Sequence, residues 1–124
     1  MKIIIVEDDK VLSLMLSKMI ERLGFEVIEI LTKGRDAIRS IESNNPDLVL
    51  MDIMLEDDVD GIDAMLTLRN NNNKTPVVYI TGNSDPINRE RAKETDFVEY
   101  LVKPVGFDDL KSTIFDFKKK SPEL

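Results

Sequence analysis

Along the chain, short runs of apolar residues alternate with longer stretches in which apolar positions recur every three or four residues. The runs are Ile3-Ile4-Ile5-Val6, Val27-Ile28-Glu29-Ile30, Leu48-Val49-Leu50-Met51, Val77-Val78-Tyr79-Ile80 and Phe97-Val98-Glu99-Tyr100-Leu101-Val102. Their brevity and their β-branched and aromatic content predict strands. Between them, Leu12, Met15, Leu16, Met19, Ile20 and Leu23 keep helical spacing, as do Phe107, Leu110, Ile114 and Phe117. Each set predicts the buried stripe of a helix. The pattern is a strand followed by a helix, five times over.

Punctuation residues agree with these elements. Gly24 suits the close of the first helix, Pro76 the start of the fourth strand, and Gly106 the start of the last helix. Asp85-Pro86 reads as an N-cap followed by proline in the first turn. Asn70 to Asn73 reads as a polar helix exit and turn. Alternating strands and helices imply a parallel sheet covered on both faces. Runs two and five carry a charge in their middle, Glu29 and Glu99, and a central charge suits a sheet edge. Placing those two outside predicts an α/β fold, (βα)5 and doubly wound, with strand order 2-1-3-4-5. Its helix between Asp85 and Asp96 has few apolar residues, chiefly Ile87 and Ala92, and is expected to be the mobile one.

A length of 124 residues fits one domain with a real core, and 42% hydrophobic with 33% charged residues is the make-up of a globular chain. No apolar run approaches the roughly 20 residues that span a bilayer, and the segment after Met1-Lys2 is too short for a secretory core. A cytoplasmic protein with no membrane partner is expected. The chain has no cysteine and no histidine, which excludes thiolate chemistry and leaves any phosphohistidine to a partner. A net charge of −7 argues against direct nucleic-acid binding, and the basic run Lys118 to Lys120 is expected to be a solvated helix end.

Ligands of an open parallel sheet bind beyond the carboxyl ends of its strands. The first predicted strand ends in Glu7-Asp8-Asp9, the third in Asp52, the fourth in Thr81-Gly82 and the fifth in Lys103-Pro104. Carboxylates of two neighbouring central strands would converge, raising one another's pKa unless a cation neutralises them. A hard divalent ion, Mg2+ before Ca2+, fits such oxygen donors. Lys103 adds a fixed positive charge able to pair with Asp52, and Thr81 adds a hydroxyl. Pro104 raises the question of a cis bond, with trans the default. A carboxylate nucleophile, a metal site, an ammonium and a hydroxyl can together accept a phosphoryl group. Asp52 is the candidate nucleophile.

IIIVEDD, LVLMDIML, DG, YITG and EYLVKP occur in this order. At these residues the sequence resembles a response-regulator receiver domain of two-component signalling, with the likeness covering nearly the whole chain. The resemblance implies that Glu7 and Asp8 hold Mg2+, which Mn2+ could replace, with Asp52 as phosphoacceptor and third side-chain ligand and the Met54 backbone carbonyl as the last protein ligand. It implies that Thr81 and Lys103 bind phosphoryl oxygens, that Thr81 and Tyr100 form the switch, with Tyr100 turning inward, and that Met54 and Asn83 tune hydrolysis of the aspartyl phosphate. Asp9 is then a helix cap. Implied partners are a sensor histidine kinase or phosphotransfer protein, a downstream output domain or protein, and a second copy meeting at the fourth helix, fifth strand and fifth helix. Residues 1–120 would be the receiver and 121–124 a tail, with no output domain in the chain.

Two positions depart from the family pattern. The family often has a proline four residues after the phosphoacceptor and a glycine eight after, whereas here Glu56 takes the first place and Gly61 stands nine after Asp52. The loop is one residue longer, and its acids Glu56, Asp57, Asp58 and Asp60 are expected to be solvated. Rival functions fit less well. Metal-dependent phosphatases with an aspartate nucleophile commonly carry a second aspartate two residues on, where this chain has Met54. A flavin module would need a phosphate-cradling loop where this chain has acids. A scaffold that has lost phosphorylation would lack site residues, and none is missing.

Overall fold

The structure is a computed structural model, and it describes residues 1–82 and 85–124. Five parallel strands, β1 (Lys2–Val6), β2 (Glu26–Leu31), β3 (Leu48–Met51), β4 (Val77–Thr81) and β5 (Glu99–Val102), form one sheet in the order β2-β1-β3-β4-β5. The helices between and after them are α1 (Lys10–Arg22), α2 (Gly34–Asn44), α3 (Gly61–Asn70), α4 (Pro86–Lys93) and α5 (Phe107–Lys119). Fold class and strand order are those the pattern of runs predicts.

Successive strand residues point to opposite faces, so each central strand feeds two cores. Ile3, Ile5, Leu48, Leu50, Val78 and Ile80 meet the buried stripes of α1 and α5. Ile4, Val6, Val49, Met51, Val77 and Tyr79 meet α2, α3 and Ala92 of α4. The edge charge Glu29 is satisfied by α2, where Ser40 Oγ and Asn44 Nδ2 both donate to Glu29 Oε2. At the other edge, Glu99 is exposed and its Oε1 accepts from the Tyr100 amide.

Helix ends follow ordinary capping chemistry. Asp9 Oδ1 accepts from the Val11 and Leu12 amides at the start of α1, Asp85 caps α4 with Pro86 next to it, and Gly106 precedes α5. Gly24 leaves α1 at φ +91°, a conformation glycine adopts without strain. The inner stripe of α1 differs from the expected one. Met15 is half exposed, and Ser13 and Ser17 take inner positions beside Leu16 and Ile20. Positions 13, 16, 17 and 20 keep helical spacing, and each serine hydroxyl has a local acceptor, Lys10 O or Glu21 Oε1, so burial leaves neither unpaired.

Candidate functional site

The carboxyl ends of β1, β3, β4 and β5 deliver the site. Glu7 and Asp8 follow β1, Asp52 follows β3, Thr81 closes β4, and Lys103 follows β5. Asp52 is fixed from both sides in the chain: its amide donates to Val6 O at 2.9 Å, and its Oδ1 accepts from the Ile53 amide at 2.7 Å. Glu7 Oε2 accepts from the Asp9 amide at 3.1 Å. Glu7, Asp52 and Thr81 are buried, whereas Asp8 is exposed.

Lys103 reaches across this edge. Its Nζ lies 2.9 Å from Asp52 Oδ2 and 2.9 Å from Glu7 Oε1. The Lys103–Pro104 bond is cis, not the default trans. Burial alone would lower the pKa of the ammonium, but the two carboxylates beside it outweigh burial and raise it. Burial pushes Glu7 up to about 7, with the neighbouring Asp52 adding to the rise and Lys103 and the Asp9 amide opposing it.

One ligand oxygen from each of Glu7, Asp8 and Asp52 can be chosen so that the three lie within 4.8 Å of one another. Glu7 Oε1 is buried, and although it stands within ion-pair distance of Lys103 it accepts no hydrogen bond among the described residues. Carboxylate oxygens from three residues grouped this closely fit a hard divalent cation. The donor set present therefore suits Mg2+.

The switch candidates are also placed. Thr81 and Tyr100 are 1% and 4% exposed. Tyr100 packs against Tyr79 and Phe97 at ring-centroid distances of 6.0 and 5.9 Å, under the Arg89 guanidinium at 4.6 Å. Tyr100 is thus buried within an aromatic cluster. Met54 is exposed beside Asp52, and Asn83 lies outside the described residues.

The acidic loop is not simply solvated. Asp57 accepts from the Gly34 and Arg35 amides at 2.8 and 3.0 Å, capping the start of α2 from a distant part of the chain. Slight burial raises the Asp57 pKa, and these amides outweigh it, so the carboxyl is held below its usual range. Asp58 grips the Arg35 guanidinium, while Asp60 caps α3 in a reciprocal box with Asp63. Asp60 and Asp63 also bind Arg91 of α4. Glu56 and Asp58 stay exposed as expected, whereas Asp57 and Asp60 are partly covered. The Asp60-to-Asp63 spacing carries a capping-box signal, but nothing in the sequence pairs these acids with Arg91.

Close approach of backbones holds the loop in place. A Cβ at Gly61 would lie 2.1 Å from Asp52 O, and one at Gly34 would lie 2.2 Å from Val59 O. Both sites exclude any larger residue without a backbone shift.

The sequence family described as response regulator receiver domain matches residues 3–115. Transcriptional regulatory protein PdtaR of Mycobacterium tuberculosis is 32% identical over 109 residues, covering 88% of this chain and 52% of that protein. Alkaline phosphatase synthesis transcriptional regulatory protein PhoP of Bacillus subtilis is 29% identical over 120 residues, covering 97% of this chain and 49% of that protein. The chain spans about half the length of these relatives. Among solved structures, the signal receiver domain of a modulated diguanylate cyclase from Desulfovibrio desulfuricans is 32% identical with a TM-score of 0.87, covering 99% of this chain and 98% of that one. A receiver domain protein from Methanospirillum hungatei superposes with a TM-score of 0.89 at 24% identity, covering 98% of this chain and 96% of that one, a likeness of fold.

Proposed function

This chain belongs to the response regulator receiver domain family of two-component signalling, and on that premise we propose that it accepts a phosphoryl group on Asp52 from a partner's phosphohistidine in a Mg2+-dependent reaction. The observation that carries this reading is Lys103 Nζ at 2.9 Å from both Asp52 Oδ2 and Glu7 Oε1. An ammonium held there pairs with the Asp52 carboxylate and stands ready for charge on a transferring phosphoryl oxygen. Asp52 attacks phosphorus, the new P–O bond forms as the P–N bond breaks, and the imidazole leaves with the kinase.

Glu7, Asp8, Asp52 and the Met54 carbonyl would hold Mg2+. Bound there, it offsets the negative charge of the donor and acceptor oxygens. Thr81 donates its hydroxyl to one phosphoryl oxygen, and Lys103 pairs with another. Tyr100 responds to Thr81, and phosphorylation shifts the balance between places that Tyr100 can already occupy. The surface of α4, β5 and α5 then binds a partner: an output domain or protein, or a second copy. Residues 1–120 act as the receiver unit, with 121–124 as a tail. No helix of the described residues is long and apolar enough to cross a membrane, and a cytoplasmic location is part of the same reading.

The chain transfers a signal and turns over no substrate beyond its own phosphorylation and dephosphorylation. Titration with Mg2+ and fluoroberyllate, a phosphoryl mimic, tests the reading. Saturable binding that Asp52→Asn abolishes is expected, and equal binding by Asp52→Asn overturns it.

A further inference from the structure

Helix α4 is weakly anchored in the core. Ala92 is its one buried residue and Ile87 is 70% exposed, whereas every other helix buries three or more residues. Among the described residues its ion pairs to the body of the fold run through Arg91, beside the Arg89 guanidinium stacked over Tyr100 and the Ala92 carbonyl that accepts from Thr95. The guanidinium straddles Asp60, with Nη1 donating to Oδ2 at 3.0 Å and Nη2 to Oδ1 at 3.3 Å. Nη2 also donates to Asp63 Oδ1 at 2.9 Å, and Asn88 of the same helix steadies Nη1 at 3.1 Å. This fork suits a planar guanidinium and cannot be reproduced by a lysine ammonium.

The carboxylates at the far end of the fork are close to the phosphoacceptor through the backbone. Asp60 caps α3, and the next residue, Gly61, donates its amide to Ile53 O at 2.8 Å. Gly61 sits so tightly on Asp52 that a Cβ there would meet Asp52 O at 2.1 Å. A shift of the Asp52–Ile53 backbone would be carried to Gly61 through this packing and the Gly61–Ile53 hydrogen bond, and so to the Asp60 carboxylate that Arg91 holds.

We propose that Arg91 is a positioning residue that ties α4 to the phosphoacceptor loop, so that a change at Asp52 reaches α4 through Gly61 and Asp60 as well as through Thr81 and Tyr100. The proposal rests on the phosphoacceptor reading above. Ion pairs at a third-exposed residue are individually modest. On a helix with a single buried side chain, they make up much of what holds it.

Hydrogen exchange of the amides over 86–93 tests this, read on the full chain before and after an Asp52 adduct is formed with Mg2+ and acetyl phosphate and counted by intact mass. In the unmodified state, Arg91→Gln is expected to speed exchange over 86–93 about threefold, the effect of losing pairs of this kind. It is also expected to shrink, by half or more, the change in exchange that the adduct produces in the parent. Arg91→Lys should restore part of both, and Asp63→Asn should lose part of both. A merely structural role would alter the first quantity and leave the adduct-dependent change intact. Adduct formation with the same change over 86–93 in Arg91→Gln as in the parent overturns this proposal alone. Failure of the parent to form an adduct overturns the phosphoacceptor reading and this proposal with it.

Discussion

Lys103 Nζ stands 2.9 Å from Asp52 Oδ2, which brings an ammonium from the end of β5 to a carboxylate at the end of β3 across the intervening strand β4. The contact also spans to Glu7, so one cation serves two buried acids. Without that ammonium, two buried carboxyl groups would face each other at a cost.

Removing the ammonium should therefore expose that cost. Lys103→Gln is expected to lower stability by about 2 kcal/mol at pH 8 without divalent ions, below the 3–5 kcal/mol of a fully buried broken pair because Lys103 is partly exposed. Protonation of Glu7 should shrink the loss at acid pH, and Mg2+ should recover part of it at pH 8. Urea midpoints with and without Mg2+ measure both effects. Equal stability of parent and variant at pH 8 would show that the ammonium is not needed to hold the acids.

Glu7 predicts a pH dependence of opposite sense to that of a salt-bridged carboxylate. Burial raises its folded pKa to about 7 from an ordinary 4.5, so between those values the folded chain binds more protons than the unfolded one. Stability contributed by Glu7 is present at acid pH and is lost as pH rises from about 4.5 to about 7, by up to about 3 kcal/mol. Mg2+ requires the ionised carboxylate, so its affinity should rise by nearly tenfold per pH unit as pH approaches 7 and level off above. At a hundred times its dissociation constant, Mg2+ should stabilise by about 2.7 kcal/mol and raise the melting midpoint by roughly 10 °C. Calorimetric Mg2+ titrations from acid to alkaline pH check the slope, and Glu7→Gln should flatten it. An affinity independent of pH would contradict the assignment.

Much of this was legible in the one-dimensional pattern because the information is local. Strand runs of four to six residues, Asp85-Pro86, and Asp9 ahead of α1 each act within a few positions of themselves. Strand order followed from Glu29 and Glu99, since a charge in mid-strand can be satisfied only where a helix or solvent reaches it, as Ser40 and Asn44 reach Glu29. What stayed hidden depends on distant partners. Asp57 meets the start of α2 and Asp60 meets Arg91 only after the fold has closed, so acids that look solvated in sequence become ties. Met15 misled for a related reason: the apolar stripe of α1 is wider than the surface it packs against, and small serines fit the close approach instead.

Met54 is exposed beside the phosphoacceptor and offers no polar side chain to orient a water there. Met54→Asn is expected to speed loss of the phosphoryl group about threefold to tenfold, the effect of about 1 kcal/mol from one well-placed hydrogen bond. Single-turnover dephosphorylation of the two proteins in Mg2+ measures it. An unchanged rate would show that hydrolysis is not limited by the residue at this position.

Phosphoryl transfer to Asp52 is the claim on which the rest depends, and incubating the full chain with Mg2+ and acetyl phosphate tests it most directly. Intact mass and peptide mapping should find one phosphoryl adduct, on the peptide bearing Asp52, dependent on Mg2+ and absent from Asp52→Asn. An adduct that persists in Asp52→Asn, or sustained turnover of phosphate esters without an Asp52 adduct, would contradict it.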